Sequence, residues 1–198
     1  YLSEKVWVPF GMEQDASWLL GSTGHEISGC CIQASTRDYA RFGLFILGGA
    51  KVKGVSIVPD DWIAPATSKQ ADIGAPGKGY GYQWWSFPRT AGAPHTLHHE
   101  SAFTGQGIFG RFLYINPRER MVAAIWSEWP DPWIEAREYE TYDFLAAAIE
   151  ALTPKEVSEL RGGGAIALDL GGTKVTLGKE DVQIALETAA TGDHVLEA

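Results

Sequence analysis

Cysteine is scarce in this chain of 198 residues, which contains only Cys30 and Cys31. Neighbouring residues rarely reach good disulfide geometry, so we expect no disulfide and a role for both as small buried side chains. Long apolar runs are missing as well. No stretch approaches the roughly 20 residues of a membrane-spanning helix, and we expect no membrane span.

Basic residues are also few, with 16 lysines and arginines against 25 aspartates and glutamates and a formal net charge of -9. Nucleic-acid binding needs a basic surface that neutralises phosphates, so this balance argues against a nucleic-acid partner. Two nucleophile motifs, Gly-x-Ser-x-Gly and Ser-x-x-Lys, do not occur in the sequence. The chain therefore contains no recognisable catalytic nucleophile.

One cluster of possible metal ligands is present, in the segment "HTLHHE", and consists of His95, His98, His99 and Glu100. Imidazole and carboxylate groups suit zinc, but the cluster lacks the His-Glu-x-x-His spacing of helical zinc sites. We expect a surface or supporting role for these side chains. No metal and no cofactor is implied.

Hydrophobic residues make up 45% of the chain and aromatic residues 12%, as in a packed globular fold. The segment "STRDYARFGLFILGG" predicts a helix with Ser35 as N-cap, Asp38 three residues on and a C-terminal stop at Gly48 and Gly49. A second amphipathic helix is predicted at 133–152. Its expected buried stripe consists of Tyr142, Leu145, Ile149 and Leu152.

Strands are predicted where aromatic and β-branched residues alternate between turn signals. The run "YGYQWWSF" at 80–87 predicts one strand, buried on both faces because tryptophans occur on both. Residues 109–115 and 121–127 predict a hairpin joined by the turn "NPRER".

Three glycines, Gly105, Gly107 and Gly110, stand just before and at the start of the predicted hairpin. Glycine beside a strand often marks a place where a ligand or another backbone comes close. Two interpretations stay open: a bulge or edge bend, and a backbone donor aimed at a substrate.

The C-terminal segment differs in character from what precedes it. The stretch "LRGGGA" suggests a junction, which divides the chain into a main unit at 1–160 and an appended tail at 161–198. The tail predicts strand, turn and strand through "AIALDL", "GGT" and "KVTL". Its segment "ALDLGGTK" is compatible with a turn whose backbone N–H groups bind a phosphate, although a plain hairpin turn is the favoured interpretation.

Four stretches, taken in order, resemble the C-terminal half of the serine β-lactamase-like hydrolases. They are "YLSEKVWVPFGM", "GHEISGCCIQASTRDYARFGLFILGGA", "GYGYQWW" and "GIFGRFLYINP". The similarity is greatest to the class C-like branch that includes 6-aminohexanoate-dimer hydrolase and related esterases. It implies an α+β, β-lactamase/transpeptidase-like fold, in which helices flank an antiparallel sheet.

The resemblance also implies a chemistry. The family uses a Ser-x-x-Lys nucleophile and a Tyr base to form an acyl-enzyme, and both motifs are expected upstream of this chain. The third family motif matches Gly105, Gln106 and Gly107, followed by Ile108. Gly105 replaces the basic residue of the β-lactamases, which favours an amide hydrolase or esterase. A second register, Phe103-Thr104-Gly105, also resembles the motif.

These matches define the expected site. Gly107 would let a substrate carbonyl approach the strand edge, and the Ile108 N–H would be one of two oxyanion donors. Gly105, Gln106, Tyr82 and Arg111 are the expected substrate-binding residues. The expected partner is a small-molecule amide or ester, and the alternative is a non-catalytic binding module of the same fold. The compartment, cytoplasmic or periplasmic, and the oligomeric state are left open.

Overall fold

The secondary structure comes from a computed structural model, which describes residues 1–74, 78–87 and 98–152 and the backbone of strands at 165–170, 173–178 and 194–197. A π-helical turn, Ser3–Trp7, runs into the first helix. The helices are α1 (Val8–Phe10), α2 (Thr36–Leu47), α3 (Ile63–Thr67) and α4 (Glu135–Ala151). The strands are β1 (Ser17–Trp18), β2 (Ile32–Gln33), β3 (Lys51–Val52), β4 (Val55–Ser56), β5 (Ala71–Asp72), β6 (Gly79–Tyr80), β7 (Trp85–Ser86), β8 (Phe103–Gly107), β9 (Arg111–Asn116), β10 (Met121–Trp126), β11 (Ala165–Leu170), β12 (Thr173–Gly178) and β13 (His194–Glu197).

Seven of these strands form one sheet, in the order β13-β10-β9-β8-β7-β6-β5. Neighbouring strands are antiparallel, except that β13 runs parallel to β10. The predicted hairpin is confirmed as β9 and β10, although β9 begins at Arg111 because Phe109 and Gly110 belong to the preceding turn.

Alternate residues of β9 and β10 point to opposite faces of the sheet, as the pleat requires. On one face, Leu113 and Val122 pack with Phe45 of α2 in what we call the α2-side core. On the other face, Phe112 and Tyr114 pack with residues of α4 in the α4-side core. The sheet is therefore covered by a helix on each face.

Helix α2 begins as the sequence predicts. Ser35 is its N-cap, and the Ser35 hydroxyl accepts from the Asp38 N–H at 3.0 Å. The Asp38 carboxylate is completely buried and accepts from the backbone N–H groups of Glu13 at 2.7 Å and Gln14 at 3.1 Å. The Arg41 side chain, bonded to the Glu13 carboxylate at 2.7 Å, lowers the pKa of Glu13. Asp38 thus joins the loop after α1 to the start of α2.

The prediction of one continuous strand at 80–87 is wrong. The segment forms two strands, β6 and β7, which pair with each other through Tyr80 and Trp85. Between them the Gly81 N–H donates to the Trp84 carbonyl at 2.7 Å, and Gln83 has a φ of 68°. The aromatic residues that alternate in this segment therefore belong to the two strands of a tight hairpin and not to one strand.

The expectation for the two cysteines is also wrong, because Cys30 and Cys31 are joined by a disulfide. Cys30 is exposed and Cys31 is partly exposed, so neither is a buried small side chain. Their Cα atoms lie 3.7 Å apart, the spacing of adjacent residues across a trans peptide bond.

The predicted strand–turn–strand of the tail is present in the backbone, where β11 and β12 pair antiparallel. The Gly171-Gly172 turn lies outside the described residues. Strand β13 pairs with β10 of the main sheet. The boundary between 160 and 161 stays a prediction.

Within the described part of the chain, no helix is long and apolar enough to cross a membrane.

Candidate active-site edge

Strand β8 carries the matched third motif, and its two edges are paired unequally. Along one edge, all five residues pair with β9. Along the other edge, only Phe103 and Thr104 pair with β7. Among the described residues, Gly105 to Gly107 therefore have a strand neighbour on one side only. Unpaired backbone N–H and C=O groups at such an edge are available to another chain or a ligand.

The β8–β9 turn extends this edge through Ile108, whose side chain is 64% exposed. Phe109 and Gly110 follow with φ angles of 60° and 79°. The Phe109 N–H donates to the Pro132 carbonyl at 3.0 Å, and the Phe109 carbonyl accepts from the Trp129 N–H at 3.3 Å. No backbone carbonyl of the described segments accepts from the Ile108 N–H. The turn is thus anchored at its far end, and the Ile108 amide is left without a backbone partner in the same segments.

A different physical reason applies to the presence of glycine at each of the three positions. At Gly110, a Cβ would lie 2.5 Å from Nε1 of Trp129, so no side chain fits. At Gly107, a Cβ would lie 3.0 Å from the Cβ of Arg111 across the hairpin, a tight contact. At Gly105, the nearest atoms would be at 3.7 Å, which leaves room for a methyl group. Packing against the described residues accounts for Gly110 fully, for Gly107 in part and for Gly105 not at all.

The Gln106 side chain points to the α4 face of the sheet. Its Nε2 donates to the Tyr142 hydroxyl at 3.1 Å and lies 3.4 Å from Oε1 of Glu138. The Tyr142 hydroxyl donates to the same carboxylate oxygen. Burial, followed by the charge of Glu138, raises the pKa of Tyr142 far above its ordinary value. Gln106 thereby connects the candidate edge to helix α4.

A buried ion pair completes this network. The Lys78 ammonium donates to the Glu138 carboxylate, and both side chains are almost completely buried. The ammonium also lies 5.2 Å from the Trp85 ring centroid and 4.6 Å from that of Trp133, distances typical of cation–π contacts. A cavity of about 450 Å³ opens beside these residues, with Tyr139 and Tyr142 on its wall.

Sequence reasoning missed Lys78, Glu138 and Trp133. One signal existed for Glu138, which precedes Tyr142 by four residues on a predicted helix and so shares its face. No signal pointed to Lys78, because its pairing with Glu138 spans 60 residues of chain.

Two further predicted site residues lie apart from this network. The Arg111 guanidinium donates to the Ser127 carbonyl, across the hairpin from Gly107. Tyr82 lies in the β6–β7 turn, is 45% exposed, and packs against the Trp62 ring at a centroid distance of 5.3 Å. Neither contact tests a substrate-binding role, which stays a prediction for both.

The histidine cluster is split by the fold. His99 is buried, with Nδ1 at 2.8 Å from the Tyr114 hydroxyl and Nε2 at 3.1 Å from the Tyr142 carbonyl. His98 is paired with Glu150 at 2.9 Å. His95 lies outside the described residues. In the described ranges no group of three or more His, Cys, Asp or Glu side chains is placed to hold a metal ion.

The chain was compared with known proteins. No protein-family model matches it. Over 140 residues it is 26% identical to the 6-aminohexanoate-dimer hydrolase of Paenarthrobacter ureafaciens, covering 66% of this chain and 33% of that protein. Among solved structures, a putative 6-aminohexanoate-dimer hydrolase from Bacillus anthracis superposes with a TM-score of 0.52 and 24% identity, covering 75% of this chain and 38% of the other.

The matched region thus spans 33% of the first relative's length and 38% of the second's. The structural match shows a shared fold, built on an antiparallel sheet. The sequence match adds a curated hydrolase that resembles the greater part of this chain. The predicted resemblance to the 6-aminohexanoate-dimer hydrolase branch of the β-lactamase-like proteins, over a C-terminal part of the domain, is therefore confirmed.

Proposed function

We propose that this chain supplies the third-motif strand and the oxyanion edge of a serine hydrolase of amide or ester bonds. The observation that supports the proposal is the one-sided pairing of Gly105 to Gly107. A strand edge without a neighbour can receive an extended substrate, and the exposed Ile108 continues that edge into the turn. The named substrate of the Paenarthrobacter relative, a 6-aminohexanoate dimer, suggests a small linear amide.

The chemistry follows from the position of this edge. A serine from the expected upstream Ser-x-x-Lys motif attacks the scissile carbonyl and forms a tetrahedral intermediate with a negative oxygen. The Ile108 N–H donates to that oxygen, and the second donor is the amide of the nucleophile itself. The exposed Gly107 backbone allows the carbonyl to come within hydrogen-bond distance. A single donor of this kind contributes about 2.7–4 kcal/mol to the transition state.

Substrate contacts are proposed for four residues. Gly105 has room on one side of the strand and carries no charge, so a substrate carboxylate would find no cation at the position where β-lactamases have one. Tyr82 and Arg111 would contact the substrate beyond the edge. Gln106, whose amide is bonded to Tyr142, would act at the site through the position of its backbone.

The decisive experiment removes the hydrogen of the proposed donor. The protein is expressed together with its upstream coding sequence, and hydrolysis of a p-nitrophenyl ester and of the linear 6-aminohexanoate dimer is measured. Ile108→Pro removes the amide hydrogen and should lower kcat/KM about 10²–10³-fold. Ile108→Ala keeps the hydrogen and should change kcat/KM little.

Three outcomes would count against the proposal. Equal kcat/KM for Ile108→Pro and the parent, with both folded, would remove the oxyanion role. An upstream sequence without Ser-x-x-Lys, together with absence of turnover, would support the non-catalytic binding module instead. Specific labelling of the 198-residue chain alone by a fluorophosphonate probe would reveal a nucleophile that the sequence motifs do not contain.

A further inference from the structure

The Cys30–Cys31 disulfide is the one covalent cross-link recorded in the described residues. It lies in the loop between β1 and β2, and it has no part in the proposed hydrolysis. The two residues are the only cysteines in the sequence, so any thiol chemistry of the chain belongs to this pair. Cys30 is exposed and Cys31 partly exposed, which makes the bond accessible to a dissolved thiol.

The bond does not work as a structural staple. A disulfide stabilises a fold mainly by restricting the unfolded chain, and this effect grows with the number of residues in the closed loop. Here the two cysteines are adjacent and no residue lies between them. The bond therefore restricts almost nothing beyond its own ring, and exposed disulfides of this kind tend to be the labile ones.

The backbone around the bond is tightly engaged. The Trp18 indole Nε1–H donates to the Cys30 carbonyl at 3.0 Å and lies at the same distance from the Ile27 carbonyl. The Leu19 N–H donates to the Cys31 carbonyl at 3.1 Å. Cys31 itself has a φ of 80°, in a region that side-chain-bearing residues rarely adopt. Opening the ring would leave this unfavourable conformation supported by these hydrogen bonds alone.

We propose that Cys30 and Cys31 form a thiol–disulfide exchange site for a low-molecular-weight thiol such as glutathione. A thiolate attacks Sγ of the exposed Cys30, the Sγ–Sγ bond breaks, and the Cys31 thiolate leaves and takes a proton. A second thiolate then attacks the glutathione sulfur of the mixed disulfide, and the Cys30 thiolate leaves and takes a proton. The products are two protein thiols and one oxidised disulfide of the reductant, so two electrons pass from the reductant to the protein.

The reduced form would be a pair of adjacent thiols. Two neighbouring thiolates can bind one soft, thiophilic centre together, and trivalent arsenicals are diagnostic probes for such a pair. This gives a readout specific to adjacency, because a lone thiol forms no stable chelate. The readout requires no hydrolysis, so failure of this proposal and failure of the proposed hydrolase function are distinguishable.

The test uses the purified, air-oxidised 198-residue chain and intact-mass spectrometry. Before reduction, N-ethylmaleimide should add to no residue of the chain. After incubation with reduced glutathione under native conditions, two adducts per chain should form. The reduced chain should also retain one equivalent of phenylarsine oxide and lose reactivity toward N-ethylmaleimide when it does so.

Matched variants keep the result interpretable. Cys30→Ser and Cys31→Ser should each take one maleimide adduct without prior reduction and retain no phenylarsine oxide through buffer exchange. Two adducts on the air-oxidised parent would show free thiols and overturn the proposal. Adducts that form only after denaturation would show a bond closed to exchange, which would overturn it equally.

Discussion

The Trp129 indole lies directly against the Cα atom of Gly110, so closely that a Cβ at position 110 would be 2.5 Å from both Cε2 and Nε1 of the ring. The same glycine has a φ of 79°, which favours the absence of a side chain for a second reason. Gly110 is therefore required by the turn and its packing, independently of any substrate.

Gly110→Ala should consequently destabilise the fold. The left-handed backbone costs about 1 kcal/mol for alanine, and the overlap with Trp129 adds about 1–3 kcal/mol. The measurement is the free energy of unfolding in urea. Gly105→Ala is the matched control, because its Cβ would meet its nearest neighbours at 3.7 Å and should cost under about 1 kcal/mol. Equal losses for the two variants would contradict the packing account.

The glycine cluster shows what could and could not be predicted from the sequence. The spacing of Gly105, Gly107 and Gly110 indicated a special backbone, and the structure places all three at the β8 edge and its turn. The sequence did not separate their roles, because the partner of Gly110 is Trp129, which is nineteen residues away in a segment without a regular pattern. Whether Gly107 receives a substrate stays a prediction.

Locally encoded elements were predicted well. Helix α2 has its cap, its first turn and its glycine stop within one short segment, and its observed start at Thr36 follows the predicted N-cap. The two strands at 79–86 were missed because the deciding contact is remote. A Cβ at Gly81 would lie 2.1 Å from the Ala66 carbonyl, and the Ala66 carbonyl also accepts from the Tyr82 N–H at 2.8 Å. A tertiary contact thus imposes the turn.

Gly107→Val should lower turnover strongly in the protein expressed with its upstream sequence. A branched side chain at the strand edge would obstruct the approach of a substrate carbonyl, and we expect a fall in kcat/KM of about 10²-fold or more. The substitution also presses on Arg111, since a Cβ at 107 already lies 3.0 Å from the Cβ of that residue. The kcat/KM of Gly107→Val must therefore be interpreted together with an unfolding curve of the same variant.

Two results separate these effects. If Gly107→Val remains folded at the assay temperature and loses turnover, obstruction at the edge accounts for the loss. If the folded variant keeps the turnover of the parent, the assignment of Gly107 to the active site is wrong. Thermal unfolding monitored by circular dichroism supplies the folded fraction at the assay temperature.

Glu138→Gln should be strongly destabilising. It leaves the buried Lys78 ammonium without its carboxylate and removes a charged acceptor from the Tyr142 hydroxyl. Breaking a buried ion pair by changing one partner typically costs 3–5 kcal/mol, and we expect a loss of about that size in the free energy of unfolding. Urea denaturation at neutral pH measures it.

The control for this prediction replaces both charges. Lys78→Met combined with Glu138→Leu removes the desolvated ions together and should cost much less than Glu138→Gln, because apolar replacements suit a site walled by Trp85 and Trp133. If the double variant is as unstable as the single one, Lys78 and Glu138 stabilise the fold through their hydrogen bonds rather than through their charges.

Alkaline pH should destabilise the fold through two buried tyrosines. Burial raises the pKa of Tyr114 and of Tyr142 well above the ordinary value of 10.0. The pKa of each tyrosine is higher in the folded state than in the unfolded chain, so the fold keeps its full stability below about pH 10. Above that pH the unfolded chain loses the tyrosine protons first, and the free energy of unfolding falls. Each tyrosine then removes about 1.36 kcal/mol per pH unit from the free energy of unfolding. Urea denaturation between pH 8 and about 11 measures the slope.

Tyr114→Phe should reduce this slope by about 1.36 kcal/mol per pH unit, because the hydroxyl that it removes no longer ionises in the unfolded chain. The variant will also be less stable at neutral pH, since the Tyr114 hydroxyl bonds to Asn116 Nδ2 at 2.8 Å. Phe87→Leu is the control: it disturbs the same core, where Phe87 packs edge-on against Tyr114, but removes no ionising group. It should lower stability at every pH and leave the slope unchanged. A slope equal to that of the parent in Tyr114→Phe would mean that the buried hydroxyl does not govern the alkaline transition.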